Sequence, residues 1–413
     1  MLILQGDIMR NFISFEQSIH LLDAINLSPY TTQKLFLTQA LNHILAQDII
    51  ANENSPAYPT SAMDGYAIRF KDQVLEELSI IDKNPAGSIT ESIVSKGVCI
   101  KTFTGSLMPQ GSDTLIPIEN VTVDGHILKI TQTVPQHFAV REVGENYKEN
   151  EVLIKKGCKL GFAEIGVLAS LNISQVLVYV NPTVAIASTG SEILDLGDSQ
   201  TNASQIRSSN HLTLEVLAKN NGANVIQMGT VKDDIHSITK LMTQGLDKAD
   251  ILVTTGGVSV GDYDFVQDVV KNHLGATVLF HGVNIKPGMH ILIAQKKNKF
   301  IIALPGFAYS STVCAIIYML KMIYKFRNGN EKLQTVHAKI RHDYPKKISK
   351  TIFSACNVSY EKGEYWVDFE GKKEGTSAIL TNMLGNTALL IQKEDSKDLN
   401  ANDVVEIILL EQL

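Results

Sequence analysis

Apolar residues recur along this chain in two rhythms, and the places where one gives way to the other divide it. After Ser14, the residues Phe15, Ile19, Leu22 and Ile25 return at helical spacing, and Ser14 with Gln17 has the form of a capping box. A helix is expected to start there. Leu41, Ile44 and Leu45 predict a second helix over 38–48, ended by the turn-rich stretch with Pro56 and Pro59. From about residue 60 to 145 the apolar runs shorten and Gly and Pro punctuate them. Runs 98–103, 114–118 and 126–130 are expected strands of a small β-rich domain, and 151–180 returns to mixed helix and strand.

The strongest periodic signal lies between residues 182 and 326. Runs 183–188, 223–228, 251–255 and 300–304 are short, continuous and apolar, the form of strands buried on both faces of a parallel sheet. Helical patterns separate them over 207–220, 233–248 and 263–274; the first stops before Gly222, a terminator, and the second opens on Asp233 and Asp234. Strand and helix alternating in this way predict a doubly wound α/β domain with ligands at the carboxyl ends of its strands. Past residue 330 the helical period is lost, and runs 336–340, 350–356, 365–369, 387–391 and 403–408 predict a compact C-terminal β-domain.

Composition narrows the class. The length of 413 residues suggests about three domains, and 44% hydrophobic with 19% charged residues is ordinary for a chain with a large core. With 37 basic against 43 acidic residues the net charge is −6, which argues against a protein that coats nucleic acid or an anionic membrane. Cys99, Cys158, Cys314 and Cys356 are far apart and form no CxxC pair, so reduced thiols are expected rather than a zinc site or disulfides. The longest apolar run, 313–320, is cut by Lys321, and residues 1–10 make a poor signal peptide; a cytoplasmic location is expected.

Several segments carry candidate chemistry. Thr254-Thr-Gly-Gly-Val-Ser-Val-Gly-Asp-Tyr-Asp264 follows a buried strand and precedes a helix. Gly256 and Gly257 let backbone approach a ligand closely, and loop amides such as that of Ser259, with a helix N-terminus, form an anion cradle. Asp262 and Asp264 add carboxylates able to hold a divalent ion against a phosphate; a plain glycine turn with a capping Asp is the competing explanation. Glu192, in Ser188-Thr-Gly-Ser-Glu192, and Asp233 would meet Asp264 in one crevice if the strands are parallel, an arrangement suited to Mg²⁺ and phosphoanhydride chemistry. Lys286 stands beside the rigid Pro287-Gly288 turn, and Ser310 and Ser311 fall in the first turn of a helix after Leu304-Pro-Gly306. They would serve an oxyanion, or simply be a solvated lysine and N-cap hydroxyls. Ser61-Ala-Met-Asp-Gly-Tyr-Ala67 is the most unusual short segment, placed on a loop.

Taken in order, these segments resemble the molybdopterin molybdenumtransferase family, the MoeA-type proteins that include the gephyrin E domain. The carriers are SAMDGYA (61–67), KTFTG (101–105) with MPQGSDTLIPIEN (108–120), VREVGEN (140–146), STGSEIL (188–194), SQIRSSN (204–210), KDD (232–234), TTGGVSVGDYD (254–264), IKPG (285–288) and LPG (304–306). The resemblance implies an α/β multidomain fold with a discontinuous mixed helical domain (14–55 and 145–180) and a β-rich insert (56–144). It adds an α/β molybdopterin-binding domain with a parallel sheet (181–329) and a C-terminal β-barrel (330–413). It implies a homodimer whose cleft is shared between the two chains, and Mg²⁺-dependent insertion of molybdate into adenylylated molybdopterin with release of AMP. Glu192, Asp233 and Asp264 would line the pterin and Mg²⁺ cleft, Glu192 and Asp264 as metal ligands, and it would be approached by Asp64 and Thr104 of the partner subunit. Lys286, Pro287, Ser310 and Ser377 would stand near the molybdate pocket, and Gly256, Gly257 and Ser259 would cradle the pterin ligand.

The chain also departs from the family pattern. Phe307-Ala308 replaces Asn-Pro after LPG, Gly282 and Met289 replace lysines around Lys286, Ala355 stands where an arginine is common, and Asn146 replaces an acid. Each lost charge-assisted contact to a dianion would cost roughly 1.5–3 kcal/mol, and His281 or His290 is the expected substitute. Two readings therefore compete with the enzyme: a divergent, non-catalytic paralogue that binds molybdopterin or the finished cofactor, and a scaffold for a protein partner.

Overall fold

The computed structural model describes residues 12–27, 30–258, 265–373 and 377–413. The chain forms two compact units, one of Met1–Ala46, Gly157–Ile165 and Gln175–Leu413, the other of Gln47–Lys156 and Gly166–Ser174.

In the larger unit the first helix, α1 (Phe15–Asp23), carries the expected capping box: Ser14 Oγ accepts from Gln17 N, and Gln17 reaches back to the Ser14 amide. The α/β region follows as β1 (Thr183–Thr189), α2 (Asn210–Asn220), β2 (Asn224–Val231), α3 (Ile235–Lys248), β3 (Ile251–Thr255), β4 (Thr277–His281), β5 (Leu292–Lys296), β6 (Lys299–Leu304) and α4 (Ala308–Cys314). Helix α4 runs through a π turn, Ala315–Met319, into α5 (Leu320–Arg327). The six strands lie in the order β2-β1-β3-β6-β5-β4, with β2, β1, β3 and β6 mutually parallel. The alternation of strand side chains decides which helix covers which face. Val184, Ile186, Val253 and Ile302 pack with residues of α1, α2, α4 and α5, whereas Ala185, Leu252, Ile301 and Ala303 pack with Ile238, Met242 and Leu246 of α3. Both faces are covered, so the predicted strands are apolar throughout, and each fully buried Val, Leu or Ile contributes about 1.5–3 kcal/mol.

Two features depart from expectation. The antiparallel additions β4 and β5 fall in stretches that looked like connections; Lys297, at φ 57°, turns β5 back into β6. The helix expected over 38–48 is confined to Leu37–Ala40. Asn42 adopts φ 65°, which ends the helical turn, and Ile44 and Leu45 form β-bridges to Lys159 and Val178. Their burial is complete, so the apolar spacing was real but served a sheet edge.

The C-terminal strands close on themselves. Thr351–Glu361, Glu364–Asp368, Val336–Ile340, Val404–Leu409 and Thr387–Gln392 pair in that order, and the last pairs back with the first, giving a five-stranded barrel. Ile285–Lys286 adds to it in parallel, against Thr351 and Ile352. The smaller unit is built on a mixed six-stranded sheet, ordered Thr114–Pro117, Gly65–Ile68, Val98–Thr102, Leu78–Asn84, Ile127–Ile130, Val121–Asp124. Gly65 is required there, because a Cβ would lie 2.3 Å from the Ile116 carbonyl oxygen.

All four cysteines are free thiols, and burial pushes those of Cys99 and Cys356 up to about 12. Among the described residues no helix is long and apolar enough to cross a membrane.

Candidate functional site: strand ends, a lysine cavity and an anchored aspartate

Strand order 2-1-3 sends the chain in opposite directions from the carboxyl ends of β1 and β3, which opens a crevice between them. Gly256 and Gly257 stand at the end of β3 with φ of 92° and 65°. A Cβ on Gly256 would lie 2.7 Å from the Thr189 carbonyl oxygen, and one on Gly257 would lie 2.8 Å from Val266 Cγ2. Backbone therefore approaches backbone here as no larger residue permits. The Gly256 amide donates to Leu304 O at 3.1 Å, and Asn210 Nδ2, at the start of α2, donates to Gly306 O at 2.8 Å. The strand ends are lined with hydroxyls. Ser188 Oγ and Thr255 Oγ1 share a hydrogen bond of 3.1 Å, while Thr189 Oγ1 and Thr254 Oγ1 are buried without a partner among the described residues. Ser259, Asp262 and Asp264 lie outside the described residues.

Two of the predicted acids come together beside this crevice. Asp233 Oδ2 accepts from the Ser191 amide at 3.2 Å, and both carboxylate oxygens of Glu192 lie 3.0 Å from where a Cβ on Gly190 would be. The Glu192 carboxylate is thus folded over the end of β1 and is open to solvent. Asp234 is the N-cap of α3, accepting from the Ser237 amide at 2.8 Å, and that bond holds its carboxyl below the usual range. Asp233, expected to open the helix, precedes the cap and ties the β2 end to the β1 loop instead. Among the described residues no three His, Cys, Asp or Glu side chains lie close enough together to hold a metal ion.

Lys286, Pro287 and Ser377 line a cavity of about 210 Å³ between the Lys286 loop, the start of α4 and the barrel. Ser310 is at its edge, its amide donating to Ser377 O at 3.1 Å. Sequence reasoning had missed most of what surrounds them. Lys347, Lys372 and Lys373 line the same cavity, and no Asp or Glu does so among the described residues. Lys372 Nζ donates to Asn382 O at 2.8 Å and Thr387 Oγ1 at 2.9 Å, and burial lowers its pKa. Ala355 leaves no charge where an arginine is common, and its amide donates to Tyr309 Oη at 2.8 Å. Tyr309 in turn donates to Phe353 O at 3.1 Å. At Met289 a cation stands nearby, with Lys350 Nζ 2.8 Å from the sulfur. The positive charge thus comes from barrel lysines, not from the histidines. His290 packs edge-on against Phe12, and His281 Nε2 lies 3.4 Å from Val258 O. The signal that could have found these lysines is the pair Lys372-Lys373 directly before the segment holding Ser377.

In the smaller unit Asp64 and Thr104 form one pair. Asp64 Oδ1 accepts from the Thr104 amide at 2.8 Å and from Thr104 Oγ1 at 2.7 Å. These two bonds, with Lys101 a weaker contributor, hold the exposed carboxyl of Asp64 below its ordinary value. Thr104→Val removes the side-chain donor, so the Asp64 pKa will rise toward that of a free aspartate. A carboxyl NMR titration will show it, and an unchanged titration would mean that the amide alone sets the value.

Comparison with known proteins bears on the family and the fold. The family model described as "MoeA N-terminal region (domain I and II)" matches residues 13–172, and that described as "Probable molybdopterin binding domain" matches 185–325. The chain is 35% identical over 280 residues to a Staphylococcus aureus protein named molybdopterin molybdenumtransferase; the alignment spans 65% of this chain and 65% of that relative. A Staphylococcus epidermidis protein of the same name is 27% identical over 383 residues, 91% of this chain and 90% of its own. The crystal structure of a molybdopterin biosynthesis moeA protein from Pyrococcus horikoshii superposes with a TM-score of 0.82 at 27% identity, covering 96% of this chain and all (100%) of that one. The resemblance first read from the 61–67 and 254–264 motifs thus extends through both matched regions and the fold, and the chain belongs to the MoeA family.

Proposed function

We propose that this chain is a molybdopterin molybdenumtransferase, inserting molybdate into adenylylated molybdopterin with Mg²⁺ and releasing AMP. The observation that carries the reading is the occurrence, in one unit, of a glycine-lined crevice beside Glu192 and Asp233 and of a lysine-lined cavity at Lys286, Pro287 and Ser377, with no Asp or Glu among its described lining residues. The Staphylococcus relatives carry that enzyme's name. Close backbone approach at Gly256 and Gly257 makes room for phosphate groups against strand-end amides. The lysine cavity supplies the field that draws in a tetrahedral dianion, and Lys286 and Lys373, both exposed, are able to meet it as point charges.

Mg²⁺ is held in such sites by one or two carboxylates together with substrate phosphate oxygens. The solvent-facing carboxylate of Glu192 fits that need, and Asp264 is the second ligand by sequence position. When bound, the metal polarises the phosphoanhydride that is cleaved. Asp233 holds the Ser191 amide and so shapes the turn beneath Glu192. Burial raises the thiol pKa of all four cysteines, Cys99, Cys158, Cys314 and Cys356, in keeping with a reaction whose sulfur ligands belong to the pterin. We extend the proposal to a homodimer in which the cleft is completed by Asp64 and Thr104 of the partner subunit. The exposed Val74 and Ile89 of the smaller unit suit a contact of that kind.

The non-catalytic reading draws on Gly282, Phe307 and Ala355. One assay separates the two: AMP release from adenylylated molybdopterin, with and without molybdate and Mg²⁺. The transferase requires release that depends on Mg²⁺ and rises with molybdate. Binding of the pterin nucleotide with no stimulation by molybdate would leave the binding protein in its place.

A further inference from the structure

The loop that carries Lys286 has two legs, and one residue far away in sequence touches both. Gly282 N donates to Ile291 O at 2.8 Å and Val283 N to Met289 O at 3.0 Å, so the stretches before and after Lys286-Pro287-Gly288 are cross-linked at their base. Phe12 lies over this base. Its ring carbons are 2.0 and 2.1 Å from where a Cβ on Gly282 would be, and the ring meets the His290 ring edge-on at 5.7 Å. The neighbouring backbone adds two bonds, Asn284 N to Ile13 O at 2.8 Å and Ile13 N to Gly282 O at 3.4 Å. Two residues on, Phe15 packs edge-on against Phe353, a wall of the lysine cavity, with ring centroids 5.3 Å apart. The position where a lysine was expected is therefore a glycine covered by an aromatic ring, and at φ 89° it suits no larger residue.

We propose that Phe12 is a positioning residue for the anion cavity: it clamps Gly282 and His290 together and thereby holds Lys286 at the cavity wall. The inference rests on the transferase reading for its ligand, molybdate. It follows from packing, because a loop tip is placed only as well as its base is held, and removal of the ring leaves a void between two legs joined by few bonds. Lys286 is kept from drifting by Phe12 on one side and by barrel pairing with Ile352 on the other.

The test uses the full-length chain with molybdate as the probe. Phe12→Ala will raise the half-saturating molybdate concentration for AMP release about tenfold and leave the rate at saturation within about twofold; Phe12→Leu, which refills the space, will restore most of the affinity. Calorimetric titration of molybdate alone will show the same tenfold shift in Kd, whether or not AMP is released. An unchanged molybdate dependence in Phe12→Ala overturns the clamp, as does equal loss in the alanine and leucine variants. If the parent chain releases no AMP but the Kd shift appears, the transferase reading falls and the clamp stands. If the parent binds no molybdate, both fall.

Discussion

Arg327→Ala will destabilise the larger unit by about 3–5 kcal/mol, read as a lower urea midpoint for its unfolding with an unchanged slope. The guanidinium is 1% exposed and paired with Glu331 at 2.6 Å. It also donates to Asn221 O at 3.2 Å and to Asn42 O. It thus joins the end of α5, the turn after α2 and the irregular stretch that replaced the expected second helix. Alanine would leave Glu331 with the more distant Lys159 among the described residues, strand two carbonyls and open a void. The double change Arg327→Met with Glu331→Leu should recover much of the loss, since apolar packing can replace a buried pair but half of a pair cannot stand alone. A midpoint for Arg327→Ala within experimental scatter of the parent would show that this cluster is not what secures α5.

Glu192→Gln will slow AMP release by roughly a hundredfold, about 3 kcal/mol of transition-state stabilisation, if its carboxylate holds Mg²⁺ against the scissile phosphoanhydride. The amide keeps the shape of the side chain, and Glu192 has no protein partner in the described set whose loss would disturb the turn, so the effect is one of charge. The Mg²⁺ concentration for half-maximal rate should rise in parallel, while molybdate affinity stays as in the parent. Aspartate at 192 should give an intermediate rate. Equal rates and equal Mg²⁺ dependence for the parent and Glu192→Gln would remove Glu192 from the metal site.

What could be read from the residues followed from how directly they encode burial. The runs 183–188, 251–255 and 300–304 announced β1, β3 and β6 because strands covered on both faces have no polar alternation to confuse them. Strand β4 was missed because Thr277–His281 sits at the sheet edge and is only partly buried. Gly222 was legible as a helix stop, but its second duty was not: a Cβ there would fall 2.5 Å from Arg327 Cζ, a partner over a hundred residues away. The site shows the same division. Asp64 and Thr104 were marked by short motifs, and Ser310 by the helix start after Leu304-Pro-Gly306, while Ser377 came only from the family resemblance; each pair is joined by a hydrogen bond. Lys286 lay in a motif, but Lys347, Lys372 and Lys373 carry none; they converge on the cavity because the barrel closes, and closure is a property of strand pairing over distances that no local pattern encodes. Phe12 was invisible for the same reason, since a glycine that makes room for a ring looks like any other glycine.

The parallel addition of Ile285–Lys286 to the barrel has a consequence for how ligand arrival would be sensed. The Thr351 amide donates to Asn284 O at 3.1 Å, so this backbone hydrogen bond lies in the seam between the Lys286 loop and the first barrel strand, beside the strand pairing of Ile285 and Lys286. That bond can open only when loop and barrel separate. Its proton is a built-in reporter, exchanging with deuterium in step with seam opening and slowing whenever an occupant of the cavity draws the two sides together.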